Sequence, residues 1–209
     1  MKIGIFDSGA GGYAVRNILE KELGKEHTLY LYTDHKNFPY GTKTREEITL
    51  LSLEAIKHLV GQGCEIVVLA CNTVTLAARP RLCTRYPYIR FISVVPPLTL
   101  AEDLTTTKNI TILASKYTND VLPGYGLGIN YHKVVATSLI QSVEEWILDG
   151  VLVEQEIHRL MQSSDTSDVV ILGCTHFIHL KPLFERLYPE KIFLDGTEQL
   201  SERLKEFLA

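Results

Sequence analysis

The sequence predicts an α/β fold with mostly parallel sheet, arranged as two similar halves. Three observations lead there: short β-branched apolar runs alternate with helical patterns, a proline pair interrupts the alternation midway, and one short pattern occurs twice. Continuous apolar runs suit strands buried on both faces, and strands alternating with helices imply parallel pairing.

The predicted strands are Ile3–Phe6, Thr28–Thr33, Ile66–Ala70, Ile89–Val95, Ile110–Ala114, Lys133–Ala136, Val169–Gly173 and Ile192–Leu194. Helical periodicity predicts Ala14–Leu23, Arg45–Val60, Leu76–Arg85, Val143–Met161 and Leu180–Leu187, with Glu198–Leu208 closing the chain. Pro96-Pro97 stops the fourth strand, and the scheme starts again at Ile110. This predicts one unit of residues 1–95 with 196–209 and a second of 96–195.

The repeat sharpens the division. Ile66 to Thr73 and Val169 to His176 both read as four apolar residues, a small residue, a cysteine and two polar residues. Each cysteine, Cys71 and Cys174, falls at the carboxyl end of its strand, where open α/β sheets bind ligands. Two facing halves could bring both thiols to one cleft.

Composition excludes several classes of function. The 209 residues are 45% hydrophobic and 22% charged, with a net charge of -4 and dispersed basic residues, so neither a nucleic-acid nor a membrane partner is expected. No apolar run reaches the ~20 residues of a membrane span, and a cytoplasmic protein with a small-molecule substrate is the expectation. Cysteines stand at 64, 71, 83 and 174 without a CxxC pair, so neither a disulfide framework nor a metal site is expected.

A thiolate and a thiol on opposite sides of a bound carbon could take a proton from one face and return one to the other, inverting a stereocentre. Cys64 and Cys83 lie beside or within helical segments and read as apolar filler. His176 follows Cys174 closely and could tune that thiol, hydrogen-bond a substrate carboxylate, or belong to a hydrolytic Cys–His pair. No hydrolase elbow surrounds it, and that scheme leaves Cys71 unused.

DSGAGG, Asp7 to Gly12, matches neither a Walker loop nor a dinucleotide loop, and Asp7 would repel a phosphate. Ser8 reads as a helix cap, with the amides around Gly9, Gly11 and Gly12 facing a small anion, a carboxylate, at a helix start. A tight turn needing positive φ is the alternative reading of the glycines. The loop Asn37 to Thr42 follows a strand with Asp34 just upstream; Pro39 stiffens it, Tyr40 offers a hydroxyl and Gly41 an amide. Glu144 and Glu145 read as solvated helix charges.

GIFDSGAGG (4–12), FPYGTK (38–43), ACNT (70–73) and GCTH (173–176), in that order, resemble the glutamate racemase family of the cofactor-independent aspartate/glutamate racemase superfamily. The resemblance implies two pseudo-twofold-related α/β domains with the active site in the cleft between them, no cofactor, glutamate as substrate, and a homodimer. It implies Cys71 and Cys174 as the two bases, assisted by Asp7, His176 and Glu144. Contacts to the amino acid then fall to Asp7, Ser8, Pro39, Tyr40, Gly41, Asn72, Thr73, Ser115, Thr118, Thr175 and His176. The implied product is D-glutamate for peptidoglycan. Aspartate or broad-specificity racemases are the nearest enzymatic alternative, and a non-catalytic amino-acid-binding descendant is the alternative of another class.

The chain departs from the family pattern in places. It is short between Ile110 and Thr137, where the usual helix is expected to be a loop through Gly124–Gly128. Ser115 replaces a threonine, Phe177 and Ile178 replace Tyr-Pro, and Ala136-Thr137-Ser138 replaces Ala-Cys-Pro.

Overall fold

The computed structural model describes residues 1–122, 126–146 and 149–208. Two four-stranded parallel sheets form its frame. The first comprises β1 (Lys2–Asp7), β2 (Thr28–Thr33), β3 (Ile66–Leu69) and β4 (Arg90–Ser93) in the order β2-β1-β3-β4; the second comprises β5 (Asn109–Ala114), β6 (Asn130–Val135), β7 (Val169–Leu172) and β8 (Ile192–Leu194) in the order β6-β5-β7-β8. Adding four to each label turns one order into the other. All eight predicted strands are present.

Strand alternation sends side chains to opposite faces of each sheet. In the first sheet, Ile3, Ile5, Ile66 and Val68 enter one core while Phe6, Val67 and Leu69 enter the other. In the second, Ile110, Ile112, Val169 and Ile171 separate in the same way from Leu113, Val170 and Leu172. Both central pairs are buried on both faces, which explains their unbroken apolar runs.

Helices α1 (Gly11–Leu23), α2 (Arg45–Gly61) and α3 (Asn72–Arg85) cover the first sheet, and Thr44 with Glu47 forms a capping box at the start of α2. The closing helix α9 (Thr197–Leu208) returns to that sheet, burying Leu200 and Leu204 against Ile3, Ile5 and Val15. The second sheet carries α4 (Leu98–Leu104), α5 (Lys116–Val121), α6 (Thr137–Glu144), α7 (Gly150–Met161) and α8 (Lys181–Leu187). Among the described residues no helix is long and apolar enough to cross a membrane.

Three expectations about helices need correction. The single helix expected over Val143–Met161 takes in only the last two residues of α6 and then all of α7: Trp146 adopts φ 53° after α6, and the Asp149 carboxylate accepts from the Val151 and Leu152 amides to start α7. Residues 147 and 148 of that expected helix lie outside the described residues. The expected loop after Ala114 begins with a short helix, α5, capped by the Ser115 hydroxyl accepting from the Thr118 amide; Gly124 and Tyr125 lie outside the described residues. Helix α3 starts at Asn72 rather than Leu76, so Cys71 is its N-cap residue. α4 follows directly on Pro97, which a helix start tolerates because no intrahelical N–H is needed there.

Candidate active site

A cleft between the carboxyl ends of the two sheets gathers most of the residues singled out in the sequence. Its walls include Ser8, Pro39, Tyr40, Gly41, Cys71 and Thr73 from the first half and Ser115, Cys174, Thr175 and His176 from the second. Its volume, mouth included, is about 400 Å³, the scale of a small-molecule site. Asp7, Glu144 and Thr118 stand behind this wall and bond to it, and Asn72 is not part of the lining.

Strand geometry places the two thiols. Each follows the last residue of a central strand, β3 or β7, by two positions, so equivalent backbone positions carry Cys71 and Cys174 to the same cleft. Their surroundings differ. Cys71 is buried at the start of α3, with the Ser8 hydroxyl 3.2 Å from its sulfur. Burial, and then the neighbouring Asp7 carboxylate, push its thiol up to about 12; the Ser8 hydroxyl and the Val74 amide only partly offset this.

Cys174 is half-buried and lies 3.5 Å from His176 Nδ1. His176 Nε2 is 2.7 Å from Glu144 Oε2, and the same oxygen accepts from the Ala10 amide at 2.7 Å. Glu144 Oε1 bonds to His35 Nδ1. Burial alone opposes charge on His176; the Cys174 sulfur, Glu144 and Asp7 outweigh it and raise the imidazole to about 10. Burial likewise opposes a charged Glu144, but hydrogen bonds from His176, Ala10 and His35 hold it down at about 2. An imidazole held toward its charged form therefore stands beside one sulfur, and the Asp7 carboxyl lies near the other.

The loop Asp7 to Gly12 is built differently from the sequence expectation. Ser8 does not cap α1: the cap residue is Ala10, which makes no side-chain bond, and the Ser8 hydroxyl turns to Cys71. The anions at the helix start are the protein's own, because Gly9 N donates to Asp7 Oδ1 at 2.9 Å and Ala10 N to Glu144. None of Gly9, Gly11 and Gly12 has a positive φ, so that explanation fails. They are small because a Cβ at Gly9 would lie 2.2 Å from Glu144 Oε2, and one at Gly11 2.1 Å from Thr175 Oγ1. Here the two halves touch, and Thr175 Oγ1 donates across the same seam to Asp7 Oδ2 at 2.9 Å. Burial raises the Asp7 carboxyl from its usual range, against the opposing influence of His176 and these hydrogen bonds.

A cluster of hydroxyls forms another wall. Thr73 Oγ1 is 3.0 Å from Ser115 Oγ and 3.1 Å from Thr118 Oγ1, joining α3 to α5 across the halves. Tyr40, buried, donates to Asp34 Oδ2 at 2.7 Å, while Asn37 Nδ2 reaches both oxygens of Asp34 at 3.0 Å. Gly41 lies so close to Ser115 that a Cβ would sit 2.4 Å from its side chain. Asn72 Oδ1 is buried without a hydrogen-bond partner among the described residues.

Residues that sequence reasoning missed are Thr137 and Ile140, which line the cleft from α6, and His35, which reaches Glu144. Thr137 and Ile140 sit on a helix whose start was misplaced. His35 opens a short 3-10 helix, His35–Asn37, and no sequence signal of its own marks it. Among the described residues no group of three His, Cys, Asp or Glu is placed to hold a metal ion.

Comparison with known proteins agrees with this architecture. A glutamate racemase of Clostridium novyi is 33% identical over 100% of this chain and 83% of its own, and one of Clostridium botulinum is 32% identical over 98% and 84%. A crystal structure of a glutamate racemase isoform from Bacillus anthracis superposes with a TM-score of 0.85 at 25% identity, covering 99% of this chain and 80% of that one. Residues 13–202 match the Asp/Glu/hydantoin racemase family model, and the chain belongs to that family.

Proposed function

We propose that this protein interconverts L- and D-glutamate without a cofactor, with Cys71 and Cys174 as the two bases. The observation that carries the reading is the cleft itself: equivalent ends of β3 and β7 present one thiol each to a single cavity. Whichever enantiomer enters, one sulfur takes the α-proton, leaving a carbanion that the other sulfur protonates on the opposite face, and the roles exchange in the reverse direction. Within this reading residues 1–95 with 196–209 act as one domain and 96–195 as the other.

The barrier lies in the weak acidity of the α-proton. Hydrogen-bond donors fixed around the substrate carboxylate, in a cleft that excludes water, lower it. The hydroxyls of Thr73 and Ser115, which line the cleft, suit that task, with Thr118 bonded to both from behind. Tyr40, Gly41 and Ser8 remain for the side-chain carboxylate. The reading carries with it D-glutamate for peptidoglycan, made in the cytoplasm by a homodimer; the glutamate racemases among its relatives support it.

Circular dichroism of each enantiomer incubated with the protein tests the proposal. Cys71→Ser and Cys174→Ser should each slow racemisation by about 10³-fold, within the usual range for loss of a general acid or base. Parental rates in both variants would exclude the two-thiol mechanism. Aspartate racemised as fast as glutamate would move the substrate assignment to broad specificity.

A further inference from the structure

We propose that His35 is a positioning residue for the second thiol: reaching over from the first half, it holds Glu144, and through Glu144 the imidazole of His176, in place beside Cys174. The inference rests on the racemase reading and adds to it a residue that does not touch the cleft.

Glu144 ends α6, and the chain leaves helical geometry at Trp146, so regular helix does not continue beyond it to steady its side chain. A carboxyl torsion is broad and must be fixed from outside. The two oxygens are served unequally. Oε2 accepts from the Ala10 amide and faces His176 Nε2, whereas Oε1 has only His35 Nδ1 among the described residues. Without His35 the carboxylate is pinned at one oxygen and can turn about it, carrying the His176 contact with it. The Cys174–His176 contact is already long at 3.5 Å, so a small rotation matters.

His35 is itself set rather than loose. Its ring stacks on Tyr13 of α1, with centroids 6.1 Å apart and planes 23° from parallel. Its neighbour Asp34 is tied to Asn37 and Tyr40, which fixes the loop without help from His35. The His35 side chain is 46% exposed, so replacing it leaves no buried hole. The bonds from His35 and Ala10 to Glu144 make one half of the molecule a determinant of the other half's thiol.

The test is exchange of α-hydrogen for deuterium in deuterated water, followed by NMR for each enantiomer separately. The enantiomer served by Cys174 is the one that Cys174→Ser no longer exchanges. His35→Phe should slow exchange of that enantiomer by about tenfold, the low end of what supporting partners of a functional histidine contribute, and leave the other enantiomer's exchange near the parental rate. His35→Gln keeps an N–H donor for Glu144 and should restore most of the loss; Tyr13→Ala should give a smaller loss on the same enantiomer. Equal losses for both enantiomers, no loss, or a His35→Gln as slow as His35→Phe would overturn the inference. Thermal unfolding checks each variant, and if His35→Phe misfolds, His35→Gln and Tyr13→Ala decide. A parent protein that exchanges neither enantiomer sinks the racemase reading, and this inference with it; where the parent exchanges both, the variants test the role of His35 alone.

Discussion

The two half-sites hold the same atom at the same point of the same sheet topology, yet they hold it in opposite ways. Cys71 lies buried under α3 beside a hydroxyl and a carboxylate, and its thiol is pushed up to about 12. Cys174 is partly open and faces an imidazole that the Cys174 sulfur, Glu144 and Asp7 raise to about 10 against its burial. Backbone symmetry sets where the thiols are; unlike side chains surround them.

The seam between the halves is where the comparison is most easily broken. Gly11→Ala would drive a Cβ to 2.1 Å from Thr175 Oγ1 and 2.9 Å from the His176 amide, so the halves must part. Overpacking of this kind costs about 1–3 kcal/mol, and racemisation should fall by at least about tenfold. Gly150→Ala is the control: a Cβ there meets nothing within 4 Å, and activity and unfolding should stay near parental. Equal losses in both variants would dissociate the seam from activity.

Next in size is a pH effect confined to the second half-site. The folded value of His176, about 10, lies above its ordinary 6.5, so its contribution to stability is complete below pH 6.5 and drains away as pH rises through 10. Glu144, at about 2 against an ordinary 4.5, contributes fully above pH 4.5 and loses that contribution as pH falls toward 2. Urea midpoints measured from pH 6.5 to 10 should therefore decline, and Glu144→Gln should flatten the decline. An unchanged slope in Glu144→Gln would mean that the carboxylate does not hold the ring charged.

The smallest change tests the first half-site. Ser8→Ala removes the hydroxyl 3.2 Å from Cys71, a net contribution of about 0.5–1.5 kcal/mol for one hydrogen bond. Racemisation should slow several-fold, and the thermal transition should fall by about 1–6 °C. A Ser8→Ala protein at full rate would show that the Cys71 thiol is tuned by burial and Asp7 alone.

Much of this was legible in the sequence, and the gaps have physical causes. All eight strands and both cysteines could be read because buried parallel strands are continuous apolar runs, and the doubled pattern ends at the same position in each. The break between α6 and α7 could not, since both helices keep one apolar face and the break depends on Trp146 at φ 53°. The glycines of the first loop were visible but their reason was not: they make room for Thr175 and Glu144, residues far along the chain. Glu144 was marked only by the family resemblance, and His35 by nothing, because two of the three hydrogen bonds onto that carboxylate, from Ala10 and His35, form only after the two halves meet.

The central claim is that two thiols act on opposite faces of one carbon, and α-deuterium exchange in the two cysteine variants tests it most directly. Cys71→Ser should lose exchange of one glutamate enantiomer and keep a measurable rate for the other, and Cys174→Ser should show the mirror image. If both variants lost the same enantiomer, or neither lost either, the two-thiol account would be contradicted.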